Sequence, residues 1–256
     1  MGPRSKGFRP DSREGIVDPS ASVRYGAPSV PPSFRLADRL PGKRDLDRTY
    51  QGSAPSCLAH ALDRAIRSKN AMSGEASPPG IARRHLWWLG RVENHDQDRY
   101  VGMYGRPLLA AVQRDGFCLE QFCPYSDDVK DAFAPPSPLA FMHANDQRGL
   151  LEYHRCDTVL EVQRAAVAGA AIICCFEADD AFDFYAGGVW HQQGDGSGHA
   201  VSLEGWEWID GELAFRCANW WSDWGENGYG WMAASSVGLA YELWAIDVAP
   251  RPSEMP

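Results

Sequence analysis

The strongest constraint on the fold is a change of texture along the chain. Up to about residue 170 apolar residues recur at helical spacing. Leu58, Leu62, Ala65 and Ile66 follow Ser56 and Cys57, and the segments 81–92 (IARRHLWWLGRV), 107–114 (PLLAAVQR) and 158–168 (TVLEVQRAAVA) repeat the pattern. Pro107 and Gly116 read as a start and a stop signal, and Ser56 stands where an N-cap would hold the first turn of the helix opened by Cys57. Beyond residue 170 the runs AIICCF, HAVSLEGWEWI, ELAFRCANWW, GYGWMA and ELWAIDV, parted by Gly- and Asp-rich turns, read as strands. Helices first and strands second predict an α+β chain. Its two halves are a helical N-terminal lobe and an antiparallel β C-terminal lobe, with the cleft between them as the natural place for a site.

With 256 residues, 44% of them hydrophobic, the chain can bury one large domain or two intimate lobes. Residues 1–33 carry Pro3, Pro10, Pro19, Pro28, Pro31 and Pro32 without an apolar period and predict an extended arm. The domain then runs over 34–250, and 251–256 form a tail. No apolar run reaches the roughly 18 residues of a membrane span, and the opening MGPRSKGFRPDSREG lacks the apolar stretch of a secretory signal. No membrane partner is expected, and a cytoplasmic protein and one exported without a cleavable signal fit equally. The net charge of −9 divides into +6 for residues 1–70 (13 basic, 7 acidic) and −15 for the rest (12 basic, 27 acidic). An acidic body argues against nucleic acid as partner. The basic arm can either touch an acidic surface, its own body included, or stay solvated, and the solvated arm is the favoured expectation; the chain is expected to be a monomer.

The 7 cysteines are an odd number without the spacing of a disulfide framework. Cys118, Cys123, His154 and Cys156 lack the C-x2-C pair of a zinc site, so buried thiols are the better expectation, with no metal and no cofactor.

In Gln51-Gly52-Ser53-Ala54-Pro55-Ser56-Cys57 a side-chain amide precedes by six residues a cysteine at a helix start. The positive end of a helix and a nearby imidazolium both lower a thiol pKa, and a Gln amide can donate to the oxyanion formed when a thiolate attacks a carbonyl. Alone, such a cysteine is more often an ordinary buried thiol. The far end decides it. There Gly198-His199-Ala200-Val201 opens a strand, and Asn219-Trp220-Trp221-Ser222-Asp223-Trp224-Gly225-Glu226-Asn227-Gly228-Tyr229 follows.

In that order the segments resemble those of the papain family, Q-x5-C, then H-A-V, then N-S-W-G-x-x-W-G-x-x-G-Y. Phe182-Asp183-Phe184-Tyr185-Ala186-Gly187-Gly188-Val189-Trp190 is similar to the stretch the family carries before its histidine. Gly102-Met103-Tyr104-Gly105-Arg106, Gly116 to Tyr125, and the lead Gly7-Phe8-Arg9-Pro10-Asp11 resemble a bacterial branch. The resemblance implies a papain-like two-lobe fold with a β-barrel-like second lobe. It further implies a cysteine endopeptidase or peptide amidase acting on peptides or proteins, with a deamidase, a transglutaminase-like effector or a silent peptide-binding module as alternatives. It assigns Cys57 as nucleophile, His199 as its base, Asn219 as the residue orienting the imidazole and Gln51 as an oxyanion donor. Trp221 would cover the His199–Asn219 bond, Gly102 and Gly198 would border the substrate, and Ser197 would stand at a roomy subsite.

Several positions depart from the family pattern. Ala54 replaces a disulfide cysteine, Leu58 and His60 replace a Trp and a Phe, and Glu204 replaces an apolar residue and therefore needs a cationic partner or exposure. The segment between Asn219 and Trp224 is one residue short, which threatens the position of Asn219. The arm is too short for a long folded inhibitory prosegment, so no zymogen of that type is expected.

Overall fold

The structure, a computed structural model, describes residues 6–10 and 20–249. The tail and the remainder of the arm, Asp11 of the lead included, lie outside the described residues. The arm and its junction contribute β1 (Phe8–Arg9), α1 (Ala21–Tyr25) and β2 (Phe34–Arg35). The helical lobe comprises α2 (Cys57–Met72), α3 (Arg83–Glu93), β3 (Met103–Tyr104), α4 (Gly105–Asp115), α5 (Val129–Phe133) and α6 (Pro138–Asn145). The second lobe follows with β4 (Leu151–Arg155), α7 (Val159–Val167), β5 (Ala171–Ala178), α8 (Asp180–Asp183) and β6 (Val189–Trp190). It is completed by β7 (Ser197–Ile209), β8 (Glu212–Ala218), β9 (Tyr229–Ala233), α9 (Ala234–Gly238) and β10 (Glu242–Val248).

One sheet, in the order β4-β10-β5-β7-β8-β9-β6 with β2 added on β7, organises the second lobe. Its pairs are antiparallel except β6 on β9, which run parallel. The long strand β7 is buried from His199 to Trp206, as expected of an apolar run packed on both faces. One apolar cluster joins Leu58, Leu62 and Ile66 of α2 to Trp87, Leu108, Ile173 and Trp244. A second gathers Phe176, Phe182, Trp190, Trp206, Phe215, Trp221 and Trp224 behind the sheet. Helix α2 is buried on nearly its whole circumference and lies between the lobes.

The sequence-predicted helices and strands form, with ends moved by a few residues, but three local readings change. The arm, expected to be extended throughout, turns into the short helix α1 over Ala21–Tyr25. Ser56 makes no side-chain cap, because its hydroxyl is taken by the Tyr125 hydroxyl at 2.6 Å. Helix α4 begins at Gly105, two residues before Pro107, which is tolerated because a first-turn N–H has no partner within the helix. Strand β4 and helices α5 and α6 had no sequence signal. β4 buries only Leu151 fully and so shows no alternation, and α6, PLAFMHAN, spreads its apolar residues around the helix and shows no period.

Glu204 has the partner it needs. The register of β7 on β8 shifts between Leu203 and Gly205, a bulge that re-aims one side chain. The buried carboxylate thereby meets buried Arg64 of α2 in a fork, Nε to Oε1 at 2.5 Å and Nη2 to Oε2 at 2.9 Å. No helix among the described residues is long and apolar enough to cross a membrane.

Candidate active site

Cys57 is the first residue of α2, and its sulfur packs against the strand that carries His199: the backbone N–H of Ala200, the next residue, acts on it. His199 Nε2 lies 2.8 Å from Asn219 Oδ1, and both residues are fully buried. The Trp221 ring stacks on the imidazole, centroids 4.4 Å apart and planes 24° from parallel. Phe176 and Phe182 close the other sides at 6.0 and 5.8 Å. A hydrogen bond so enclosed is stronger than one in water.

The one-residue-shorter loop leaves Asn219 in register. Its backbone N–H donates to Gly228 O at 2.9 Å, and its side-chain oxygen also accepts the Trp220 N–H at 2.8 Å. Trp224 Nε1 pins the far side of the loop to Phe182 O at 2.6 Å.

Gln51 is fully buried in the loop that enters α2. Its backbone N–H donates to Trp220 O at 3.0 Å, its carbonyl accepts from the Tyr125 hydroxyl at 2.7 Å, and its amide nitrogen donates to Ala54 O at 2.8 Å. His60, on the same helix, is bonded through Nδ1 to Thr49 Oγ1 at 2.8 Å and stands edge-on to Tyr125. Burial, reinforced by the charges of Arg83 and His199, holds His60 far below the usual imidazole range, so it packs as a neutral ring. All seven cysteines are reduced and buried. Cys118 and Cys123 share one small cluster, while Cys156 lies in another.

Residues 6–9 of the arm cross the cleft directly over Cys57. The Gly7 N–H donates to Cys57 Sγ at 3.1 Å, and Gly7 O accepts from Met103 N at 2.6 Å. β1 pairs in parallel with β3, Phe8 opposite Met103 and Arg9 opposite Tyr104. The fit allows no side chain at the crossing. A Cβ on Gly7 would lie 1.9 Å from Pro55 O, and one on Gly102 would lie 1.8 Å from Gly7 O. Side chains fasten the strap at both ends. Lys6 Nζ meets Asp183 Oδ1 at 2.9 Å and Ala178 O at 2.6 Å, Phe8 stacks on Tyr241 at 6.0 Å, and Arg9 pairs with Asp96 and donates to Tyr104 Oη at 2.7 Å.

Under the strap Cys57 is inaccessible. Burial pushes its thiol up to about 12, against the backbone N–H groups of Gly7, Ala200, Leu58 and Phe8, which favour the thiolate. The favoured expectation of a solvated arm is corrected for Lys6 and Arg9, which pair with Asp183 and Asp96 of the acidic body, the alternative the sequence had left open, while Arg24 pairs with Glu152 at the exposed surface. Four residues of the described part of the arm occupy the cleft.

Cys57, His199, Asn219, Gln51 and Trp221 thus come together around the start of α2, and Gly102 borders the seated strap. Gly198 does too, since a Cβ there would lie 2.3 Å from Phe8 O. Ser197 is exposed at the start of β7, opposite Ala178. The sequence reading missed Asp96, Asp183 and Tyr104, which face the strap. The signal that pointed to them was the strap's own Gly7-Phe8-Arg9.

Known proteins resemble this chain in sequence and in fold. A model of the papain family cysteine proteases matches residues 49–244. The chain belongs to the papain family of cysteine proteases. A curated relative, cathepsin B-like cysteine proteinase 6 of Caenorhabditis elegans, is 37% identical over 84 residues, a stretch spanning 32% of this chain and 22% of that protein. Among solved structures, xylellain, a cysteine protease from Xylella fastidiosa, superposes with a TM-score of 0.79 at 20% identity, covering 98% of this chain and 99% of its own. Procathepsin B S9 from Trypanosoma congolense gives 0.75 at 16% identity over 96% and 87% of the two chains. Bromelain from Ananas comosus, solved with the inhibitor E64, gives 0.65 at 18% identity over 86% and 100%.

Proposed function

We propose that this chain hydrolyses peptide bonds by a Cys57–His199–Asn219 mechanism. The observation that carries the reading is the buried 2.8 Å bond between His199 Nε2 and Asn219 Oδ1 beneath the Trp221 ring, beside a cysteine that opens a helix. Asn219 Oδ1 accepts a hydrogen bond from the His199 Nε2–H, which leaves the opposite ring nitrogen to exchange a proton with Cys57. With the strap displaced, the helix end and the imidazolium favour the thiolate. The sulfur attacks the carbonyl carbon, and the C–O electron pair moves to oxygen. The Cys57 N–H and the second N–H of the Gln51 amide, whose first is held by Ala54 O, stabilise that oxyanion, a contact typically worth about 3 to 4 kcal/mol in the transition state. The imidazolium proton passes to the departing amine, leaving a thioester. Water, deprotonated by His199, then cleaves the thioester and regenerates the thiol.

The test is product analysis by mass spectrometry with peptide substrates, comparing the Gly7→Ala protein with the same protein also bearing Cys57→Ala. Peptidase action yields two shorter fragments that disappear with the Cys57→Ala change. An intact backbone that gains about 1 Da at a glutamine, or becomes cross-linked to an amine, would instead establish deamidase or transglutaminase chemistry at the same thiol. Unmodified peptides that still bind would establish a silent module.

A further inference from the structure

The strap shows which side chains the cleft accepts, whatever the direction in which a substrate runs. We propose that Asp96 and Asp183 are specificity-determining carboxylates that receive basic side chains of the substrate on either side of an apolar subsite. The preferred substrates then carry Arg next to a bulky apolar residue and Lys two positions from it on the other side, the spacing of Lys6, Phe8 and Arg9 in the strap. This rests on the peptidase reading and names its substrate class.

Three observations carry it. The Arg9 subsite is built for a planar cation. The guanidinium carbon lies 4.3 Å from the centroid of the Tyr104 ring while its nitrogens reach the Asp96 carboxylate and, at 2.7 Å, Tyr104 Oη. An ammonium group cannot stack and fork together in this way. The site is also preformed: Asp96 is held by Arg99 at 2.7 Å and by its own N–H to Arg91 O at 2.8 Å, and its side chain is only 8% exposed. At the other end Asp183 and the Ala178 carbonyl converge on Lys6, a point charge with several donors. Phe8 between them is 3% exposed and belongs to the apolar core cluster.

A carboxylate walled into a cleft is costly without a cation to face it. When the strap leaves, Asp96 loses one of its two arginines and Asp183 loses Lys6, and an incoming basic side chain replaces them. Tethering gives the strap a high local concentration, so a few contacts of this kind suffice to seat it. A free peptide must use the same contacts to compete.

The test uses the full chain carrying Gly7→Ala, a substitution that obstructs the strap without removing it. Initial rates are measured on a fluorogenic peptide library with an apolar residue fixed and the two positions on either side of it varied. Arg is expected to exceed Ala by about tenfold or more at one position, the range of a charge-assisted hydrogen bond. Asp96→Asn should bring that ratio towards one, and Asp96→Glu should restore part of it. Asp183→Asn should do the same for Lys on the opposite side of the apolar residue. No preference for basic residues, or ratios unmoved by either substitution, would overturn the assignment.

A binding arm separates this proposal from the peptidase reading. The peptide Lys-Gly-Phe-Arg, amidated and acetylated, is titrated into the protein bearing Gly7→Ala and Cys57→Ala. Weaker binding on adding Asp96→Asn, about tenfold, supports the subsites even if no peptide is ever cleaved. Unchanged affinity refutes them even if cleavage proceeds.

Discussion

Replacing Gly7 by Ala should expose the nucleophile of the intact chain. A Cβ at this position would lie 1.9 Å from Pro55 O, 2.1 Å from Pro55 C and 2.7 Å from Ser56 N, all backbone atoms at the entrance to α2 that cannot swing aside. Overpacking of this kind costs about 1 to 3 kcal/mol, which corresponds to roughly a 5- to 150-fold loss of strap occupancy. In the seated state the Cys57 thiol stands at about 12. Roughly one molecule in 100,000 is then ionised at pH 7, against about 3% for an ordinary exposed thiol near 8.5. Alkylation of Cys57 in the parent chain must therefore proceed through the small unstrapped fraction, and its rate should scale with that fraction.

The assay is iodoacetamide labelling at pH 7, quenched over time, with the modified residue identified by peptide mapping. The six other cysteines are buried, so the Cys57 signal is separable. Gly7→Ala should label faster by about 5- to 150-fold, whereas Gly194→Ala, whose Cβ would enter open space, should not change the rate. Equal rates for the parent and Gly7→Ala would refute the reasoning. They would mean either that the strap does not control access or that burial of Cys57 comes from the body alone.

Three further outcomes follow from contacts around the site and in the core. In the Gly7→Ala background, Asn219→Ala should lower kcat by about 10- to 150-fold, the value of a hydrogen bond to a group that becomes charged, with a smaller change in KM. Single removal of either member of the Arg64–Glu204 pair, for example Glu204→Leu, should cost about 3 to 5 kcal/mol in urea unfolding by stranding a buried charge. Adding Arg64→Met to Glu204→Leu should recover much of that loss, and a double variant no more stable than the single would count against the pairing. Burial holds His85 down at about 4 against the raising influence of Asp115, so the unfolded chain binds the extra proton between there and about 6.5. Its contribution is present above pH 6.5 and is lost as pH falls, by about 2 kcal/mol at pH 5, and His85→Gln should flatten the stability–pH curve by that amount.

The lobe order, the main helices and strands, and the convergence of Cys57, His199 and Asn219 were legible in the sequence. Each depends on a local period or on a motif whose spacing the backbone must respect. Other features depend on partners far away in the chain. Ser56 has the chemistry of an N-cap, but its hydroxyl is claimed by Tyr125, 69 residues on. Glu204 advertised only that it needed a cation. The bulge in β7 that turns it towards Arg64 leaves no local mark beyond Gly205, where a Cβ would lie 2.4 Å from Phe34 O. The shortened loop after Asn219 looked like a threat because its length is local information, whereas its anchors, Gly228 O and Phe182 O, are not.

The charge division of +6 against −15 was visible from the start, and in it lay the seat of the strap, but a sum of charges has no direction. Solvated charges gain little from distant opposite charges because salt screens them within about 8 to 10 Å. A basic arm therefore stays solvated by default, and what overrides the default here is geometry. Gly7 and Gly102, both without side chains, let two backbones meet over the sulfur, and only then do Lys6 and Arg9 come within reach of Asp183 and Asp96. The ion pairs follow from the backbone fit, and the fit follows from the glycines. Raising the salt concentration should accordingly loosen the strap less than one methyl group on Gly7 does, and the two iodoacetamide rates measured side by side decide that order.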